Sequence, residues 1–255
     1  MRHAIQAGNA GTLSKVDARA LVDGSAVIRA SRQLSALPSD RILPLVRHVY
    51  TRSVSWALYT SEYLESLHRL LAAITSKHTS GRAIRVLEVC AGGGVLAALM
   101  KARGFVWMAT DANPPASASG EVSQRSALAA VQEATEGGSA VDVVFFSWWS
   151  RSQPKKKKKR KHEDELPTDT EEPEPRHVDP EDRRVAEHCA AANVPIVFVS
   201  EPAGGITGSS ELWQGAYTIG LAAGHVADFD DVCNWNGFSD CTWVLLPRAT
   251  ANTAL

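Results

Sequence analysis

The sequence predicts a doubly wound α/β domain: a mostly parallel sheet, helices on both faces, and an antiparallel strand at the C-terminal end. Three observations lead there. Short apolar runs of strand length alternate with segments of helical periodicity from residue 84 onward. The first of these runs, Ile84–Val89, opens directly into a glycine loop followed by a helical segment. Near the C-terminus, Val226–Phe229 and Thr242–Leu246 are spaced for an antiparallel pair.

The bulk numbers agree. With 255 residues, 44% of them apolar, the chain can bury one sizeable core with decorations. The net charge of -1 exerts no global pull toward nucleic acid or an anionic membrane. No apolar run approaches the roughly 20 residues that span a bilayer. Cys90, Cys189, Cys233 and Cys241 form no CxxC pair, and the histidines show no metal-ligand spacing. The cysteines read as reduced intracellular thiols.

Residues 1–40 are rich in Ala, Ser and Arg with weak periodicity, and read as a mobile N-terminal extension. Their composition is similar to a mitochondrial presequence, but an ordinary extension is the favoured reading. The domain proper is expected over 41–255, with an upstream helical segment at 41–80. There Leu64, Leu67, Leu71 and Ile74 recur at helical spacing, predicting a helix from Thr60 to about Ser76, with Thr60 as cap. After the strand Ile84–Val89, Val95–Arg103 reads as a helix stopped by Gly104. Phe105–Thr110 is the next strand, followed by Asp111. Ala127–Glu136 is helical and Val141–Phe146 is a strand. Asp179-Pro-Glu-Asp182 is a helix start, with a cap, a first-turn proline and acids; that helix runs to about Asn193. Pro195–Ser200 is a buried strand, and Ser210 to Ala223 is expected to be helical. Trp235, Phe238 and Trp243 would fill the core of the terminal hairpin.

Residues 150–178 break the pattern. They hold almost no apolar residues to offset the entropy of ordering them, and read as a disordered charged insertion between a strand and a helix.

The chemistry concentrates at Arg85-Val-Leu-Glu-Val-Cys-Ala-Gly-Gly-Gly-Val-Leu-Ala97. A glycine loop between strand and helix lets a ligand approach the backbone and meet the helix's first amides. Gly92-x-Gly94-x-x-Ala97 fits a dinucleotide fingerprint too, and the same glycines would also serve tight strand–helix packing. Two acids discriminate. Glu88 ends the first strand, where a dinucleotide site usually has an apolar residue. Asp111 ends the second, where a carboxylate can accept both hydroxyls of a ribose.

At these residues the chain resembles class I methyltransferases, over roughly residues 82–247. Leu87-Glu-Val-Cys-Ala-Gly-Gly-Gly94 is similar to their first motif, with Cys90 standing where that motif has glycine. The resemblance implies a Rossmann-like fold and S-adenosylmethionine as cofactor. It implies cofactor contacts at Glu88, Ala91, Gly92, Gly94, Asp111, Ala112 and Ser147, with Glu88 receiving the ammonium group and Asp111 the ribose.

Ser147-Trp-Trp-Ser150 lies at a strand exit, where amine-methylating relatives carry an Asp/Asn-Pro-Pro-aromatic motif. Trp148 and Trp149 would stack on a flat ligand or pack under the insertion. Glu201, in the glycine-rich Ser200–Gly208 loop, would orient an acceptor or act as a base, or else pair with a backbone amide or an arginine. Trp56 and Tyr59 sit in an upstream segment that, with the features above, resembles a poorly characterised methyltransferase-like group. There they would wall the cofactor pocket; ordinary core packing is the alternative.

The run Lys155, Lys156, Lys157, Lys158, Lys159, Arg160 and Lys161 resembles a single-cluster nuclear import signal that would bind an import receptor. A phosphate-binding arm for nucleic acid and a solvated loop without a role are the other readings. The nucleus or cytoplasm is expected ahead of the mitochondrion, with no membrane association. Three functions remain open: a methyltransferase of unknown acceptor, a non-catalytic adaptor on the same fold, and an NAD-binding protein.

Overall fold

A computed structural model describes residues 59–76, 81–115, 121–136, 141–147, 180–201, 208–215, 217–231 and 240–248. The N-terminal extension, Trp56, Trp148, Trp149, the charged insertion with its lysine run, Trp235 and Phe238 lie outside the described residues. No described helix is long and apolar enough to cross a membrane.

The described elements are α1 (Ser61–Thr75), β1 (Arg85–Val89), α2 (Val95–Lys101), β2 (Val106–Asp111), β3 (Val122–Gln124), α3 (Ala127–Glu136), β4 (Val143–Ser147), α4 (Glu181–Ala191), β5 (Ile196–Ser200), α5 (Ser210–Trp213), β6 (Tyr217–Leu221) and β7 (Cys241–Pro247), with a 3-10 turn at Ala222–Gly224. The strands form one seven-stranded sheet in the order β3-β2-β1-β4-β5-β7-β6. The first five are parallel, and β7 runs antiparallel to both β5 and β6. This is the Rossmann-like, doubly wound sheet of the class I methyltransferase type, as the alternating pattern predicts.

Both faces are covered, because parallel strands alternate apolar side chains to either side. On one face α1 and α2 pack Leu64, Leu67, Leu71, Leu96 and Met100 against Val86, Trp107, Phe145 and Val197. On the other, α3 and α4 bring Val131, Val185 and Cys189 onto Leu87, Val89, Phe146 and Phe198. The cap read from the sequence holds: Thr60 Oγ1 accepts from the Tyr63 amide at 3.1 Å. Ser209 caps α5, its Oγ accepting from the Leu212 amide at 3.1 Å.

The C-terminal third differs from expectation. Ser210 to Ala223 is not one helix: α5 lasts a single turn, then Tyr217–Leu221 forms β6. Gly215 follows that turn, and the β-branched and aromatic Tyr217-Thr-Ile supplies a surface suited to a pleated sheet. Tertiary contacts select the strand. The buried Tyr217 hydroxyl donates to the Ala186 carbonyl at 2.9 Å and lies 3.3 Å from the Val194 carbonyl. The partner of β7 is therefore β6 and not Val226–Phe229. The latter turns instead, with Asp228 at a left-handed φ of 52° that no strand admits. β3 was absent from the sequence reading; only its Val122 is apolar, and pairing to Ala109–Asp111 makes it a strand.

Tyr217→Phe tests this arrangement. It removes the buried hydrogen bond from the hydroxyl to the Ala186 carbonyl, so denaturation should show a loss of about 1 kcal/mol.

Candidate functional site

In a doubly wound sheet, ligands bind beyond the carboxyl ends of the strands where the strand order reverses. Here the reversal falls between β1 and β4. Along that rim stand Asp111 at the end of β2, the Cys90–Gly94 loop after β1, Ser147 at the end of β4, and Glu201 after β5. Glu201 is two strands from β1, about 10 Å at the usual strand spacing. Ser147 and Glu201 are half-buried, and Ala112 is exposed.

The loop reverses the chain using three left-handed residues: Cys90 (φ 56°), Gly92 (φ 54°) and Gly94 (φ 70°). The last two are glycines, with no steric cost. They do different jobs. A Cβ at Gly94 would meet Val122 Cγ2 at 2.6 Å, so this glycine lets β3 close on the loop. A Cβ at Gly92 would meet nothing within 4 Å, so the space beside it is open to a ligand. Cys90 occupies a left-handed position at an expense of roughly 1–2 kcal/mol. Burial, reinforced by the charges of Asp111, Glu181 and Glu88, pushes its thiol up to about 12. A thiol so raised favours its protonated form, and Cys90 packs against the neighbouring core.

Asp111 ties the loop to β2. Its Oδ2 accepts from the Gly92 amide at 2.8 Å and its Oδ1 from the Asn113 amide at 2.8 Å. A carboxylate has about four acceptor positions, so capacity remains on both oxygens for vicinal hydroxyls. The Ala91 amide donates to Thr110 at 3.0 Å, and the Ala91 carbonyl accepts from Gly94 at 2.9 Å, closing the turn.

Glu88 sits beneath the loop rather than on it, 2% exposed. Trp107 Nε1 donates to its Oε2 at 2.7 Å, and the Ala97 amide in the first turn of α2 also donates to the carboxylate. Burial raises its pKa to about 8; these two donors lower it, and the negative charge of Asp111 raises it. At neutral pH the carboxyl is mostly protonated.

Tyr59 is buried and stacks on Tyr63 at 5.9 Å. Tyr63, fully buried at the start of α1, lies within electrostatic range of Glu88. The upstream helix thus covers the face of the sheet into which Glu88 points. His188 and Cys189 face apart, Cys189 into the core and His188 toward Thr135 Oγ1 at 2.8 Å. No described group of His, Cys, Asp and Glu could hold a metal ion.

The sequence reading missed Trp107. The signal was present: a tryptophan on a buried strand needs an acceptor for its N–H. Glu88 pairs with Ala109, so Trp107 is its diagonal neighbour on the same face. A separate cleft of about 450 Å³ opens by β2 and β3, with Lys101, Glu121, Ser123, Arg125 and Glu133 in its lining. Arg125–Glu133 and Lys101–Glu121 ion pairs flank it, and it includes none of Glu88, Gly92 or Asp111.

No protein-family model matches the chain, and no curated protein matches it. Among solved structures it is similar to MtNAS in complex with MTA and tNA, at 10% identity over 90% of this chain and 70% of that one, TM-score 0.38. A variant of MtNAS in complex with S-adenosylmethionine matches at 11% identity over 96% and 88%, TM-score 0.40. A SAM-dependent methyltransferase from Archaeoglobus fulgidus matches at 13% identity over 78% and 97%, TM-score 0.40. At these scores the likenesses bear no weight for the site; the fold type rests on this chain's own strand order.

Two predictions follow from the loop and its acid. Gly94→Ala should lower stability by roughly 1–3 kcal/mol through the clash with Val122, partly restored by Val122→Ala, as read by urea denaturation. Glu88 keeps a proton in the folded chain that the unfolded chain releases above its ordinary 4.5. Raising the pH from there to about 8 therefore favours unfolding. The Tm of Glu88→Gln minus that of wild type should grow across this window and level off above it. An invariant difference would show that Glu88 ionises normally.

Proposed function

We propose that the chain binds S-adenosylmethionine at the carboxyl rim of β1 and β2 and transfers its methyl group to a nucleophilic acceptor. The observation that carries this reading is the open space beside Gly92, bordered by the half-buried Asp111 carboxylate and underlain by Glu88. These residues fit an adenosyl ligand with a charged amino-acid tail. Asp111 would accept the ribose hydroxyls with its remaining lone pairs. Ala91, Gly92 and Gly94 would permit close approach of the backbone, with Ala112 and Ser147 at the edges. Glu88 would answer the ammonium group, and the arriving cation would draw the proton off its carboxyl.

The cofactor supplies a methyl group on a sulfonium, open to in-line attack. The protein's contribution is then mostly alignment, with a base needed only where the acceptor must lose its proton early. Glu201, half-buried after β5, would orient that nucleophile. Trp56, Tyr59, Trp148 and Trp149 would wall the pocket. An acid at Glu88 favours this ligand over NAD.

Calorimetry with S-adenosylhomocysteine should show binding by wild type and a roughly tenfold or greater loss in Asp111→Ala, as expected for losing charge-assisted hydrogen bonds. NAD should not bind. Absence of S-adenosylhomocysteine binding would sink the proposal. Binding without methyl transfer to nucleic acid, protein or small-molecule pools would make the chain an adaptor.

For the lysine run we propose nuclear import. Neutralising Lys155–Lys159 in a fluorescent fusion should abolish nuclear accumulation, and an unchanged distribution would remove the idea.

A further inference from the structure

Glu88 is asked to meet a cation, yet it is buried and keeps company that opposes its charge. From β2 it faces Trp107 and Asp111, from α2 the Ala97 amide, from α1 Tyr63, and from the loop Cys90. Of these, only the Trp107 indole N–H and the Ala97 amide donate to the carboxylate. The Ala97 amide belongs to the first turn of α2 and is present whatever residue stands there. Trp107 is the donor that side-chain chemistry supplies.

Its ring is held firmly. Trp107 is 1% exposed. Phe105 meets it edge-on at 6.1 Å and 84°, and Phe145 packs against it at 5.7 Å and 54°. An indole clamped between two rings cannot swing away, so its N–H stays 2.7 Å from Glu88 Oε2. The carboxylate in turn bridges β2 to the first turn of α2, directly under the glycine loop.

We infer that Trp107 is a positioning residue of the methyl-donor site, its indole N–H holding the Glu88 carboxylate under the glycine loop to face the ligand's ammonium group. This rests on the methyl-donor reading above. Trp107 touches no ligand atom in this account and acts through Glu88. Burial pushes Glu88 up to about 8, and the indole N–H is the first of the influences that pull it back. Without that donor the carboxyl keeps its proton to higher pH, and less of it is charged when the ammonium arrives.

The test is calorimetric titration of S-adenosylhomocysteine from pH 6 to pH 9 into wild type and Trp107→Phe. Wild-type affinity should rise toward pH 8 and then level. Trp107→Phe should bind roughly tenfold more weakly at pH 7, the scale of one lost hydrogen bond to a charged group. Its rising limb should move to higher pH. A residue that serves packing alone would lower affinity equally at every pH, and an unmoved midpoint overturns the inference. So does an unchanged affinity. If Trp107→Phe does not fold, the benzothienyl analogue of tryptophan at that position replaces the N–H with sulfur at nearly constant shape. It should show the same displaced profile. Wild type failing to bind at every pH overturns the methyl-donor reading itself and this inference with it, an outcome distinct from a variant that binds like wild type.

Discussion

The turn between β1 and α2 carries the rest of the structure. Between Val89 and Val95 the chain must leave the sheet, reverse, and lay a helix on the face occupied by Trp107 and Phe145. Left-handed backbone at Cys90, Gly92 and Gly94 achieves this. The consequences run outward in both directions. The Gly92 amide reaches Asp111, which registers β2 against the loop. The Ala97 amide reaches Glu88, which fixes α2 over β1. The absent side chain at Gly94 lets β3 close against the loop. One reversal thus aligns three strands and a helix, and leaves an opening beside Gly92.

Cys90 is the unusual member of that turn. A side chain in a left-handed position is strained, and strain persists where surrounding packing compels it. Cys90 is packed against the core that includes Leu87 and Val89. Burial of its small apolar side chain offsets part of what the backbone conformation costs. The loop therefore keeps its shape with a side chain where the resembling motif has none.

The two acids show how one functional group behaves in two environments. Asp111 stays at the rim, half-buried, its oxygens occupied by two amides yet still accessible. Glu88 lies two residues before the loop, points into the face covered by α1 and α2, and holds its proton. The difference is burial, not chemistry. A carboxyl in an apolar layer, close to a second carboxylate, favours its neutral form until an opposite charge arrives.

Much of this was legible along the chain. Short, continuous apolar runs alternating with helical ones specify a doubly wound sheet, because its central strands are buried on both faces. The two acids at the ends of the first two strands stand at or beneath the carboxyl rim of the sheet, as their spacing implies. Thr60 as a helix cap follows from local spacing alone. What local pattern could not decide was decided by contact. Tyr217–Leu221 is a strand and not a helix because its hydroxyl and backbone find partners on α4 and β7, far away in sequence. β3 exists because β2 offers it a free edge. Trp107 meets Glu88 only through the register of β1 against β2. Periodicity records which face a residue turns to the core; the partner waiting there, and the charge it allows, are settled by tertiary packing.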